Sequence, residues 1–215
     1  MENGTFSFNK NGTGDNIQYS LDEGDTWTSL ESEGTVSVNS GKKILWKATL
    51  TPSSSSPNFG IGTFSSTGQF NVEGNAMSLL YGDNFKGQTS LNGKDYAFYM
   101  LFQDCTNLVS AENLSLPATT LASSCYSSMF NGCTSLTTAS ELIATTLVEG
   151  SYYEMFRGCS RLNYIKCLAT DISATNSTNN WVNGLPVSGT FVKAASMTQW
   201  TTGDNGIPSG WTVEE

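Results

Sequence analysis

The sequence predicts a mainly β fold, in which an antiparallel N-terminal β domain is followed by a stack of repeated units and a C-terminal β cap. Three observations predict it. Charged residues make up only 13% of the 215 residues, and Gly, Ser, Thr and Asn recur throughout, which suits strands and tight turns better than long helices. Short alternating segments near the N-terminus are separated by turn residues. An internal repeat then occupies the middle of the chain.

The N-terminal antiparallel β domain is assigned to residues 1–57. A compact sheet or sandwich is the natural packing of its short strands. Residues 51–57, rich in Ser and Pro, are predicted to form a loop or linker. The expected strands are residues 5–8, 17–20, 35–38 and 44–47.

One hairpin turn is predicted within this domain. Residues 20–27 read Ser-Leu-Asp-Glu-Gly-Asp-Thr-Trp, which matches the Asp-box pattern S-x-D-x-G-x-T-W. In such turns Asp and Ser side chains satisfy backbone groups and the Trp packs beneath them. Asp boxes also decorate sialidase propellers, but this chain has one box and only two arginines, too few for a propeller or for a three-arginine carboxylate clamp. We therefore interpret the turn as structural, with key residues Ser20, Asp22, Gly24 and Trp27.

The middle of the chain contains the repeat. The pattern F-x-[GD]-C-[TS]-x-L occurs three times, beginning at positions 102, 130 and 156. The tetrapeptide Ala-Thr-Thr-Leu at 118–121 and 144–147 precedes the second and third of these at a constant distance. A unit this short cannot bury its own apolar face, so the units are expected to stack and share one core. The predicted repeat core is Phe102, Cys105, Leu108, Phe130, Cys133, Leu136, Phe156, Cys159 and Leu162.

A fourth unit is expected after these three. Residues 169–172 continue the Ala-Thr-Thr-Leu series, and Trp181 follows Ala169 at the same distance at which Phe130 follows Ala118. The fourth unit is therefore expected to keep the aromatic position of the repeat and to lose its cysteine. The repeat stack is assigned to residues 58–188, with 58–95 as further strands or a divergent first unit, and the C-terminal cap to residues 189–215.

The cysteines are expected to be buried thiols. Their number is five, and no C-x-x-C spacing occurs, which argues against a disulfide framework or a zinc ribbon. Three belong to the repeat, where Cys serves as a small buried hydrophobe. The same is expected of Cys125 and Cys167, which lie outside the repeat pattern.

The composition excludes several kinds of chemistry. The chain has no histidine, which removes Ser-His-Asp and Cys-His catalysis and His-ligated zinc. No phosphate-binding or dinucleotide-binding glycine motif occurs. With 19 acidic residues a carboxylate pair for glycoside hydrolysis stays open as an alternative, although no cluster stands out. The sequence thus predicts no enzyme, no cofactor and no metal. A net charge of −9 argues against nucleic acid, and no run of about 18 apolar residues predicts membrane insertion.

The repeat resembles a known family. Its M-F-x-G-C-x-x-L units and the Leu-Pro-Ala-Thr-Thr-Leu segment resemble the BspA-like leucine-rich repeats of gut Bacteroidales and their phages. Residues 189–193, 200–203 and 206–213 resemble the closing segment of those proteins, so the match covers about residues 70–215. Asp104 in place of the usual Gly, and two extra residues in the first spacing, are departures. The resemblance implies a short BspA-like leucine-rich-repeat solenoid with a C-terminal β cap.

The resemblance also implies a function in adhesion or recognition. The expected protein is non-enzymatic, works outside the cell or at its surface, and binds a surface glycan or protein. The alternative is a bacteriophage fibre or receptor-binding virion protein that contacts the bacterial surface, for which a homotrimer is expected. The chain starts without a signal peptide, which fits either a virion protein released by lysis or a secreted protein that has been trimmed.

Aromatic side chains are the candidate ligand contacts. Four residues before each repeat phenylalanine an aromatic recurs, and further tyrosines lie beside this column. The column either packs the interior or forms an exposed stripe for sugar rings or protein surfaces. The polar turn at 176–181 is a second candidate. The candidate binding residues are Phe98, Tyr99, Tyr126, Tyr152, Tyr153 and Trp181.

Overall fold

A computed structural model describes residues 3–31 and 34–215 of the chain. Strands make up 30% of it and helix 3%, so the predicted mainly β fold is confirmed. No helix in these residues is long and apolar enough to span a bilayer.

Eight short strands lie between residues 3 and 66 in the part of the chain that the structure describes, and they pair antiparallel in three small sheets. Each of the four segments predicted as strands overlaps one of them. Numbered along the chain, the first strand lies between the fifth and the eighth in one sheet. In a second sheet the third strand lies between the fourth and the sixth, and the second and seventh strands form the remaining pair. The strands are β1 (Gly4–Lys10), β2 (Thr13–Gly14), β3 (Gln18–Ser20), β4 (Thr28–Ser29), β5 (Thr35–Val38), β6 (Leu45–Lys47), β7 (Leu50–Thr51) and β8 (Gly62–Ser66).

Residue alternation explains which face of these strands is buried. In β5 the valines Val36 and Val38 point inward while the two polar residues point outward, as the period of two in a strand requires. β1 precedes the predicted domain boundary at residue 57 and β8 follows it. The two strands nevertheless pair, with Phe8 opposite Phe64. Gly62 permits this pairing, because a Cβ at this positive φ would come within 2.3 Å of the Asn9 carbonyl oxygen. The domain boundaries at 57 and 188 stay predictions.

From residue 70 onward every pairing within the described residues is parallel. Strands β9 and β10 form one parallel pair, and β11, β12 and β13 form a parallel sheet in that order. Isolated parallel bridges such as Thr146 with Asp171 continue the pattern elsewhere. Parallel neighbours need long connections. The elements are β9 (Phe70–Asn75), helix α1 (Ser78–Tyr81) with a 3₁₀ turn (Gly82–Asn84), β10 (Leu108–Ser115), β11 (Tyr164–Cys167), β12 (Thr190–Lys193) and β13 (Thr212–Glu214).

Runs of tight turns, stacked on one another, make these connections. In each run every fourth residue has a positive φ, and the same three positions recur in all four runs. Along each run the backbone amides alternate between two kinds of hydrogen bond. The first kind goes to the carbonyl three residues earlier in the same run, as from Cys105 to Phe102. The second kind goes to a carbonyl of the next run, as from Phe102 to Met129. An isolated run would leave the second set unpaired, so each run depends on its neighbour. The positive-φ residues are Tyr96, Met100, Asp104, Ser124, Ser128, Gly132, Gly150, Glu154, Gly158, Asn176, Asn180 and Gly184.

A phenylalanine ladder runs through the interior of this stack. Its successive rings, nearly parallel, are 5.6, 5.6 and 5.7 Å apart between centroids. The first ring, Phe64, belongs to β8, so the N-terminal sheets are joined directly to the ladder. All nine side chains assigned to the repeat core are buried. The rungs are Phe64, Phe102, Phe130 and Phe156.

All five cysteines are free, buried thiols. Cys105, Cys133 and Cys159 each donate to the carbonyl of the ladder phenylalanine in the preceding unit, at 2.8 to 3.0 Å. Burial raises the pKa of the Cys105, Cys125, Cys159 and Cys167 thiols to about 12 and also raises the pKa of Cys133. Since the thiolate is the reactive form, these thiols stay neutral and inert near pH 7.

The fourth unit differs from the prediction by one residue. The Phe156 amide donates to the Trp181 carbonyl as the Phe130 amide donates to Met155, so Trp181 matches the Met position and Val182 the Phe position. The indole nevertheless lies 6.1 Å from the Phe156 ring and 6.2 Å from the Tyr152 ring. One large side chain thus contacts both the phenylalanine ladder and the Tyr152 ring, and Trp200 stacks on it at 5.4 Å.

Candidate functional site

Four of the six aromatic residues predicted to bind a ligand lie in the core. Their exposure is at most 1%, and their rings follow one another at 5.6, 6.1 and 6.2 Å. An enclosed ring cannot meet a ligand, so the idea that this column is an exposed stripe is corrected. The buried four are Phe98, Tyr126, Tyr152 and Trp181.

The other two predicted residues lie at the surface. Tyr99 and Tyr153 are partly exposed and occupy equivalent positions two units apart, with Ser127 in the unit between them. With about 4.8 Å between neighbouring parallel segments, their backbones are roughly 10 Å apart. This is a spacing that one extended ligand can bridge.

Two further aromatics, which sequence reasoning missed, contact Tyr99. The Phe59 ring lies 4.6 Å from Tyr96 and 5.8 Å from Tyr99, and the two tyrosine rings are 5.6 Å apart. All three are partly exposed. We call Phe59, Tyr96 and Tyr99 the aromatic surface cluster. No local signal marks Phe59, because it follows a Ser/Pro run with no alternation.

The loop that carries Phe59 is held closely against the first repeat unit. Reciprocal backbone bonds between Ser53 and Gly60, at 2.9 and 2.8 Å, close this loop. A Cβ on Gly60 would come within 3.0 Å of the Tyr99 carbonyl oxygen and 3.1 Å of that of Tyr96, at a backbone φ of +80°. Glycine therefore allows the close approach that brings the three rings together.

Polar groups flank the aromatic surface cluster. Glu154 accepts hydrogen bonds from the Arg157 guanidinium at 2.9 Å and from the Asn131 amide at 3.3 Å. Partial burial raises the pKa of the Tyr99 hydroxyl, and the charges of Tyr96, Glu154 and Tyr153 add to this effect. The surface thus combines aromatic faces with a carboxylate, an amide and a half-exposed guanidinium. These groups recognise ring faces and hydroxyls.

The Asp-box-like turn uses its side chains to bond itself. The Ser20 hydroxyl donates to Asp22 at 2.7 Å and accepts from the Gly24 amide at 2.9 Å. Asp22 accepts from both the Thr26 amide and hydroxyl, at 2.9 and 2.6 Å, and Trp27 Nε1 donates to the Gly24 carbonyl at 3.0 Å. The bonds from the Thr26 hydroxyl and amide, and then from Ser20, lower the pKa of Asp22 to about 2.

Acid is therefore expected to weaken the protein partly through Asp22. The unfolded carboxyl titrates near its ordinary pKa of about 3.9, so between roughly pH 4 and 2 the unfolded chain binds more protons and stability falls as the pH falls. In Asp22→Asn the melting temperature should change less across this window than in the wild type. Asp25→Asn, which makes the same charge change but keeps these bonds, is the control. Identical curves for wild type and Asp22→Asn would contradict the expectation.

No group of three or more His, Cys, Asp or Glu side chains converges as a metal site within residues 3–31 and 34–215. Comparison with protein-family models, with curated proteins and with solved structures finds no match to this chain.

Proposed function

We propose that the chain is a non-enzymatic recognition protein, a BspA-like leucine-rich-repeat solenoid that binds a glycan or protein at a cell surface. Two observations support the solenoid: the sequence resemblance, and a hydrogen-bonded stacking register that recurs from each unit to the next. The aromatic surface cluster, together with Tyr153, is the proposed contact surface. The site of action is extracellular, at a cell surface or on a virion.

The observation that carries this proposal is the partial exposure of three aromatic rings that contact one another. Tyrosine and phenylalanine offer large contact areas with few rotatable bonds, so little conformational entropy is lost when they bind. Here the hydrogen-bonded loop at 53–60 and the turn at 96–99 hold the rings before any ligand arrives. Arg157, half exposed beside Glu154, adds the residue type most often found with tyrosine at binding hot spots.

The test is the binding of labelled protein to bacterial strains, mucin and an array of surface glycans. We expect Tyr99→Ala to weaken binding at least roughly tenfold, as loss of a hot-spot aromatic does. Tyr164→Ala, which removes an exposed tyrosine on β11, is the matched control and should bind like the wild type. The melting temperature of each variant checks its folding.

Each outcome bears on the proposal. Equal binding by wild type and Tyr99→Ala would remove the aromatic surface cluster from the binding site. Absence of binding to cells, mucin and glycans alike would overturn the recognition function. Selective binding to bacterial strains by a trimer would favour the bacteriophage-fibre alternative over a bacterial adhesin, since fibres are commonly threefold.

A further inference from the structure

A second concave feature lies away from the aromatic surface cluster. A cleft of about 520 Å³ opens between β6 with its preceding loop on one side and β9 with α1 on the other. Its volume falls within the range of about 300–1,000 Å³ that is typical of small-molecule sites. No residue of the aromatic surface cluster lines it.

The walls of the cleft are apolar and rigidly supported. Several large apolar side chains face into it while only partly buried, although such side chains normally pack away from water. Its floor is made by Phe64 and Phe102, the first two rungs of the phenylalanine ladder. The floor is therefore part of the core and does not need to form on binding. The partly buried wall residues are Phe6, Ile44, Trp46, Val72 and Phe85.

Three lysines and two acidic side chains line the cleft, and Glu23 also lies near Lys43, so the charges around its mouth nearly balance. Lys43 pairs with Glu73 at 2.5 Å across the opening, and Lys47 pairs with Asp83 at 2.9 Å while its ammonium lies 4.2 Å from the Trp27 ring centroid. Lys42 also lines the cleft, is exposed, and makes no ion pair with the described residues. Among the described residues that line the cleft, Lys42 is therefore the lysine that an anion can approach without displacing a paired carboxylate.

The two ends of the opening differ in charge. A polar cleft of about 450 Å³ adjoins the apolar one and shares Lys47, Gly82 and Asp83 with it. That neighbour is lined by Asp15 and Asp83, so it repels an anionic group. An anion is therefore favoured at the opposite end of the opening, beside Lys42 and Lys43.

We infer that the apolar cleft binds an amphipathic carboxylic acid with a medium or long aliphatic chain. The carboxylate pairs with the ammonium group of Lys42, next to the Lys43–Glu73 pair, and the chain lies against Trp46 and over the Phe64 and Phe102 floor. Charge complementarity selects the head group, and the apolar walls select the body. This inference does not rest on the proposed function, because it uses none of the same residues.

The experiment compares three probes that share a twelve-carbon chain: dodecanoate, dodecanol and dodecylammonium, each below its aggregation concentration. Tryptophan fluorescence of the full chain reports binding. We expect dodecanoate to bind one to one, and roughly tenfold more tightly than the other two. Lys42→Glu should remove that preference, while Lys86→Glu, the same charge reversal at an exposed lysine outside both clefts, should keep it. No binding of dodecanoate, or equal binding of all three probes, overturns the inference.

A brominated probe locates the site. 12-Bromododecanoate quenches nearby indoles, so its quenching should fall strongly in Trp46→Phe and stay unchanged in Trp211→Phe, whose indole lies outside the cleft. Quenching that is unaffected by Trp46→Phe places the fatty acid elsewhere and overturns the assignment. Tyr99→Ala should bind dodecanoate like the wild type. Failure of the fatty-acid test therefore leaves the surface-recognition test standing, and the converse also holds.

Discussion

Replacement of Phe130 by alanine is expected to lower the free energy of unfolding by about 3–5 kcal/mol. The ring is fully buried and lies between Phe102 at 5.6 Å and Phe156 at 5.7 Å, nearly parallel to both. The surrounding backbone cannot collapse into the space, because hydrogen bonds fix its unit to the units on both sides. Most of the cavity should therefore persist, and the cost should lie towards the upper part of that range.

Urea denaturation followed by circular dichroism measures this loss. Phe130→Leu keeps most of the volume and should cost less than about 1.5 kcal/mol. Tyr164→Ala removes an exposed aromatic ring from β11 and should change stability by about 0.5 kcal/mol or less. A loss below about 1 kcal/mol in Phe130→Ala would mean that the ladder is not a shared core. A second unfolding transition in that variant would show that the units on either side of it had become uncoupled.

The sequence predicts the ladder well because its side chains are set by packing. Phe, Cys and Leu recur at fixed offsets because stacked units must present side chains of equal volume to one another. The repeated residue type at a repeated position therefore indicates directly which side chains are buried. The cysteine thiol also donates a hydrogen bond to the preceding unit, as Cys133 does to the Phe102 carbonyl at 3.0 Å. Such a bond repeats whenever the unit repeats, which makes the cysteine part of the pattern.

The direction in which the column of Phe98, Tyr126, Tyr152 and Trp181 points was not predictable in the same way. Phe98 and Phe102 are four residues apart, and one left-handed residue, Met100, lies between them. That backbone carries both rings into the interior, whereas a polar turn would expose them. Glycine in a sequence indicates that a positive φ is possible, but methionine does not. The turn geometry therefore follows only from the hydrogen bonds that the neighbouring runs supply.

Contacts between distant parts of the chain could not be predicted from the sequence either. Phe59 meets Tyr96 and Tyr99, which lie far from it along the chain. The lysines at the mouth of the apolar cleft face Glu73 and Asp83 in the same way. No periodic pattern encodes these approaches, because each depends on how the loop or hairpin docks. Both candidate ligand sites therefore lie where the N-terminal residues dock against the stack.

Replacement of Trp181 by alanine is expected to have an effect as large as that of Phe130→Ala, about 3–5 kcal/mol, with a different distribution along the chain. The buried indole stacks on Trp200 at 5.4 Å, contacts Phe191 at 6.0 Å and donates to the Gly206 carbonyl at 2.8 Å. Alanine leaves a large cavity and an unpaired, buried carbonyl. The residues after 189 should therefore be released first, while the units around Phe102 stay packed.

Hydrogen exchange resolves this distribution. In Trp181→Ala the Thr212 amide, which bonds Gly189, should exchange at a rate set by local opening, whereas the Phe102 amide keeps the protection of global unfolding. Trp181→Phe retains a ring but not the indole donor, so it should cost about 1–3 kcal/mol and loosen the same segment less. Equal acceleration of exchange at Thr212 and Phe102 would show that the closing segment and the stack unfold as one unit. Trp181 would then stabilise the whole core and not specifically the contact between the closing segment and the stack.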